Sequence, residues 1–101
     1  MNGGAKFIRV RLCTVLGLKK ILGQKEVEVS VPDGLTVNGL LSWMVDRWGA
    51  EVSHYVYQPG GGLLPYLRLM INGRSIEFLN GMETELQDGD EFLILPILTG
   101  G

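Results

Sequence analysis

From Lys6 to Leu12 the chain alternates, with Ile8, Val10 and Leu12 on one parity and Arg9 and Arg11 on the other. A period of two sends successive side chains to opposite faces, so this segment predicts a half-buried strand. Glu26-Val27-Glu28-Val29-Ser30-Val31 alternates more cleanly, and Pro32-Asp33-Gly34 stops it with turn chemistry. The two strands are expected to pair as an antiparallel hairpin. The connection between them holds Gly17 and Gly23, and residues Leu16 to Leu22 fit either an irregular loop or a short helical turn.

The period then changes. Val37, Leu40, Leu41, Met44, Val45 and Trp48 fall at offsets of 0, 3, 4, 7, 8 and 11, the stripe of an amphipathic helix. Thr36 is placed to cap its first turn and Gly49 to end it. Ala50 to Pro65 reads as a long connection carrying Gly60-Gly61-Gly62, with His54, Tyr55 and Tyr57 inside it. Leu67 to Ile71 reads as a strand, Asn72-Gly73 as a two-residue hairpin turn and Arg74 to Ile76 as the return. After an aperiodic stretch, Asp88-Gly89 turns the chain into a last strand, Glu91 to Leu95. The predicted order is β-β-α-β-β-β, an α+β domain with one main helix on a sheet of four to five strands.

Length and composition narrow the class. A chain of 101 residues with 46% hydrophobic and 20% charged residues suits one folded domain, taken here as 1–101 with flexible ends at 1–5 and 97–101. A net charge of −2 argues against a nucleic-acid partner. No apolar run approaches membrane-spanning length and no charged-then-apolar leader opens the chain, so a cytoplasmic protein without a membrane partner is expected. The single cysteine, Cys13, excludes an internal disulfide and a cysteine-based cluster.

Self-sufficient catalytic chemistry is hard to assemble from these residues. The glycine run lacks the lysine and hydroxyl of a phosphate loop, since Leu63-Leu64-Pro65 follows it, and a mobile loop explains it. His54 has no second histidine and no nucleophile at a recognisable spacing, so no metal site is expected. Glu83, Glu85, Asp88 and Asp90 surround turns, where solvation and turn formation account for them.

The last strand carries more. Phe92, Leu93, Ile94 and Leu95 are apolar at both parities. With Phe92 and Ile94 facing the helix, Leu93 and Leu95 face away beside Met70, and one helix cannot cover both faces. An uncovered apolar patch marks a partner surface. Beyond Pro96 the chain runs through Ile97, Leu98 and Thr99 to Gly100-Gly101. A tail without Cβ atoms can thread a narrow channel, which suggests that the terminal carboxylate itself reacts.

Taken in order, Ile8 to Leu12, Val27 to Gly34, the Thr36-capped helix, Ile71-Asn72-Gly73-Arg74, Phe78-Leu79-Asn80-Gly81, Leu86 to Glu91 and the closing Gly100-Gly101 resemble the MoaD/ThiS family of ubiquitin-like sulfur carriers. The resemblance implies a β-grasp fold, a mixed sheet curled around a helix. It implies a non-catalytic sulfur donor whose Gly101 carboxylate is adenylated by an E1-like enzyme using ATP and converted to a thiocarboxylate, with Gly100 and Thr99 threading the tail. Met70, Leu93, Leu95, Pro96 and Leu98 are the expected partner contacts. The chain itself is expected to bind no cofactor and no metal. The Phe78 to Gly81 segment looks more like MoaD, which implies the large subunit of molybdopterin synthase as recipient. The long 50–65 segment is similar to carriers serving cysteine synthesis, so an alternative sulfur-accepting enzyme of the thiamine or cysteine pathways stays open. Conjugation through Gly101 as a protein modifier is the other alternative.

Overall fold

The computed structural model describes residues 6–14 and 16–97. Five strands form one mixed sheet in the order β2-β1-β5-β3-β4. β1 (Phe7–Cys13) and β2 (Glu26–Pro32) make the expected antiparallel hairpin, with Val10 opposite Val29. β5 (Asp90–Pro96) enters between β1 and β3 (Leu67–Ile71), parallel to the first and antiparallel to the second. β4 is only Arg74–Ser75.

The Asp88 to Glu91 segment shows why its residues are needed. Arg9 N–H donates to Asp88 Oδ1 (2.8 Å) and Gly89 N–H donates to the Arg9 carbonyl (2.8 Å), which seats β5 beside β1. Asp90 is buried, yet its carboxylate is fully engaged: one oxygen accepts from Asn72 Nδ2 (2.9 Å) and the other from Gln87 N–H (2.8 Å). Buried charge is tolerated on such terms. Asn72 and Gly73 have φ of 52° and 84°, the left-handed pair that a two-residue hairpin requires.

α2 (Val37–Trp48) lies on the inner face and buries Val37, Leu40, Leu41 and Met44. Thr36 Oγ1 accepts from Gly39 N–H (3.1 Å), and the N–H of Gly49 closes the other end on Val45 (2.7 Å). These meet Ile8, Val10, Leu12, Val29, Val31, Leu69, Ile71, Phe92 and Ile94 in one core.

Two short helices add to the single helix that the pattern predicts. α1 (Leu16–Leu22) occupies the β1–β2 connection and buries Leu18 and Leu22. α3 (Ala50–Val56) corrects the reading of 50–65 as unstructured, because Val52 and Val56, four apart, are wholly buried. His54 and Tyr55 are therefore helical. The glycine run closes into a turn, with Gln58 N–H on the Gly62 carbonyl and Gly61 N–H on the Gln58 carbonyl (both 2.9 Å). Ile76, expected to end β4, starts a 3-10 turn, Ile76–Phe78.

α1 and α3 meet where Gly17 faces the Tyr55 ring, and a Cβ on Gly17 would stand 3.0 Å from Cε2. Gly17→Val should cost about 1–3 kcal/mol by overpacking in urea denaturation. The cost should shrink in a Tyr55→Ala background. An equal cost in both backgrounds would mean the contact is not its origin.

Candidate functional site

Parity on β5 separates two functions on adjacent residues. Phe92 and Ile94 are 1% exposed and face α2, while Leu93 and Leu95 are half-buried on the opposite face. Met70 sits directly opposite Leu93 and is half-buried too. The three form an apolar strip on the outer face of the sheet, as the pattern predicts. Pro96 does not join them. It has the inward parity of Phe92 and Ile94, pairs with Leu67 and is half-buried at the strand end.

Strand β5 carries the chain past this strip toward its end. Ile97 is half-buried, and its N–H donates to the Tyr66 carbonyl (2.6 Å). Leu98, Thr99, Gly100 and Gly101, the expected contact, threading and reacting residues, lie outside the described residues, as do residues 1–5.

Charge divides the outer face. On the β2-β1-β5 half, Arg11 Nη1 donates to Glu91 Oε2 (2.9 Å), and Arg9 lies 4.0 Å from Glu28. Both pairs are exposed and contribute little stability. On the β3-β4 side, Arg68 and Arg74 have no ion pair among the described residues. With Met70, Gly73, Ser75 and Phe78 they line a hollow of about 410 Å3. Phe78 is 76% exposed, unusual for a large apolar side chain and consistent with a contact surface. Sequence reasoning missed Arg68, Arg74 and Phe78, because a charge on a strand reads as solvated and Phe78 falls in an aperiodic stretch.

Cys13 lies between two acids. Its Sγ and carboxylate oxygens of Glu26 and Glu91 are within 4.8 Å of one another, although Arg11 already binds Glu91. Burial first, then the charges of Glu91 and Glu26, push the Cys13 thiol above its ordinary value. A thiol so raised is protonated at neutral pH and a poor nucleophile. His54 is exposed on α3, and nothing catalytic converges on it among the described residues. No helix of the described residues is long and apolar enough to cross a membrane. The described surface therefore offers an apolar strip rimmed by two free cations and no assembled catalytic centre.

The sequence model of the ThiS family matches residues 17–101. A protein of Archaeoglobus fulgidus, provisionally described as a sulfur carrier, is 31% identical over 80 residues, spanning 79% of this chain and 89% of that one. Small archaeal modifier protein 1 of Methanosarcina acetivorans superposes with a TM-score of 0.78 at 26% identity, covering 95% of this chain and 99% of that chain. A chain of the BexX/CysO complex of Amycolatopsis orientalis superposes with a TM-score of 0.72 at 27% identity, covering 91% and 99%.

Proposed function

Because the chain belongs to the ThiS family of ubiquitin-like sulfur carriers, we propose that it carries sulfur as a thiocarboxylate on Gly101 and hands it to an acceptor enzyme docked on the β3–β5 face. A carboxylate is a poor electrophile until one oxygen becomes a leaving group. An E1-like enzyme supplies this by letting the carboxylate attack the α-phosphorus of ATP, which releases pyrophosphate and leaves an acyl adenylate. A persulfide then attacks the acyl carbon and expels AMP. A second thiol cleaves the resulting S–S bond, leaving the thiocarboxylate and a disulfide.

The observation that carries this reading is the continuity of β5. Residues Leu93 and Leu95 form the docking strip, and the same strand leads to the glycine end a few residues later. A partner that grips the strip has the reacting end within a few residues of its contact. The protonated state favoured for Cys13 supports a role in which this chain's own thiol takes no part.

The test is an intact-mass measurement after incubation with the cognate activating enzyme, ATP and a sulfur donor. Replacement of one oxygen by sulfur at the C-terminal residue is expected, and an unchanged mass would count decisively against the proposal. Molybdopterin synthase is the recipient favoured by the Phe78 to Gly81 segment, and pull-down with an untagged C-terminus distinguishes it from an enzyme of cysteine or thiamine synthesis. Conjugation to lysines is the second reading, favoured by the likeness to a small archaeal modifier protein. It predicts Gly-Gly remnants on lysines in cell digests.

Leu93→Asp and Leu95→Asp should each weaken partner binding by about tenfold or more, since each places a charge where an apolar contact forms. Their unfolding free energies should change by less than about 1 kcal/mol, the scale of surface substitutions. Isothermal titration and urea denaturation separate the two effects. A large stability loss with unchanged binding would mean that the strip is not the docking face.

A further inference from the structure

Residues paired across neighbouring strands share a face, and on the outer face one row of them crosses three strands. Cys13 of β1 stands opposite Leu93 of β5, and Leu93 stands opposite Met70 of β3. All three are half-buried. A protonated thiol behaves as a small apolar group, so the row is apolar throughout. Met70 also lines the hollow of about 410 Å3 that holds the exposed Phe78. The apolar surface therefore continues across the strands from Cys13 to Phe78, as well as along β5 from Leu93 to Leu95. Charge gives this row a direction. At the Cys13 end the cations are neutralised, with Arg11 on Glu91 at 2.9 Å and Arg9 4.0 Å from Glu28, and Glu26 and Glu91 flank the thiol. At the Phe78 end Arg68, which is paired opposite Leu95, and Arg74 line the hollow. Both are exposed, and neither has an ion pair among the described residues. In a chain of net charge −2 this cationic end is a local feature.

Resting on the β3–β5 face as the docking face proposed above, we infer that the docking surface runs across the sheet from Cys13 to Phe78. Its occupant is a partner enzyme that presents an apolar ridge with carboxylates at the Arg68 and Arg74 end. A guanidinium is a planar fork that pairs with a carboxylate through two parallel hydrogen bonds, so two unpaired arginines beside an exposed aromatic ring select an acid. A partner docked the other way round would set its acids against Glu26 and Glu91, and like charges brought together oppose that arrangement. The two ends thus divide the work. The apolar row supplies holding power, while the free guanidiniums fix which way round the partner lies, and with it the side on which β5 delivers the chain end.

The probe is the cognate E1-like activating enzyme, whose association with the full chain is followed by stopped flow at low and high salt. The Arg68→Glu/Arg74→Glu double variant should associate about tenfold more slowly at low salt, and its salt dependence should flatten. Arg68→Gln/Arg74→Gln should fall between it and the wild type. Lys19→Glu/Lys20→Glu, an equal charge change at exposed positions of α1, should stay close to the wild type. Phe78→Ala should speed dissociation about tenfold and leave the salt dependence as it was. Alkylation of Cys13 by a neutral maleimide, read from the intact mass of this chain, should slow in the complex. Equal losses in the two charge-reversed variants, or Cys13 alkylated at one rate free and bound, would overturn the inference. So would a wild-type chain that does not bind, or a concentration-dependent dimer that protects Cys13 without the enzyme, which would assign the surface to a second copy. The expected pattern without sulfur incorporation at Gly101 would leave the docking inference standing and remove the thiocarboxylate reading.

Discussion

A chain lacking Gly101 will form no adenylate and no thiocarboxylate, and will melt at the same temperature as the intact chain. Shortening by one residue withdraws the carboxylate by about 3.3–3.6 Å from wherever the docked strip presents it. Misplacement of about 1 Å is already enough to slow a positioned reaction about a hundredfold. Appending one alanine after Gly101 should have the same outcome for a different reason, since it replaces the reacting carboxylate by a peptide carbonyl. Stability is spared because the buried core of the described chain ends at Ile94 and the last described bond is that of Ile97 to Tyr66. Calorimetry and intact mass on the same samples make the comparison. Sulfur incorporation by the shortened chain would remove Gly101 from the mechanism, whereas a clear fall in melting temperature would give the tail a structural role.

Phe92→Ala will destabilise the domain by about 3–5 kcal/mol, as large buried aromatics do when truncated. Phe92 is the largest wholly buried side chain and stands on the central strand, opposite Leu12 of β1 and Ile71 of β3. A cavity there opens at the junction of all three strands. Small domains are stable by only about 5–15 kcal/mol, so a large share of the folding free energy disappears. Urea denaturation measures this directly. The adjacent Leu93→Asp provides the internal contrast, being one residue away yet on the other face. If Phe92→Ala cost no more than Leu93→Asp, the assignment of the two faces would be reversed.

The strands and α2 were legible because each buries one face, and burial of one face imposes a period. β1, β2 and β5 begin or end within one residue of the pattern, and Thr36 and Gly49 cap α2 where their chemistry requires. α3 was not legible because seven residues with two buried valines make too short a stripe to read as a helix. Isolated helices of that length are unstable, so packing of Val52 and Val56 is what forms it. Gly49 also misled, since it ends α2 and immediately precedes α3. α1 fits the more ordered of its two readings for the same reason, with Leu18 and Leu22 four apart and buried.

At the site, parity alone brought Met70, Leu93 and Leu95 together. Pro96 has the other parity and pairs with Leu67. Phe78 and the two arginines become a surface only once the hairpin and the 3-10 segment set them around one hollow.

The parallel pairing of β1 with β5 also has a consequence for how the domain folds. Arg9 bonds Asp88 and Arg11 bonds Glu91 across 79 and 80 positions of sequence, so the middle of the sheet is closed by contacts between its two most distant strands. Such non-local closure is slow compared with forming local hairpins and helices. The β1–β2 and β3–β4 hairpins and α2 can each form from neighbouring residues, but the strip of Met70, Leu93 and Leu95 exists only after β5 has inserted between its neighbours. On the proposed reading, partner recognition is thereby tied to insertion of β5, and a partly folded chain that lacks this pairing lacks the strip.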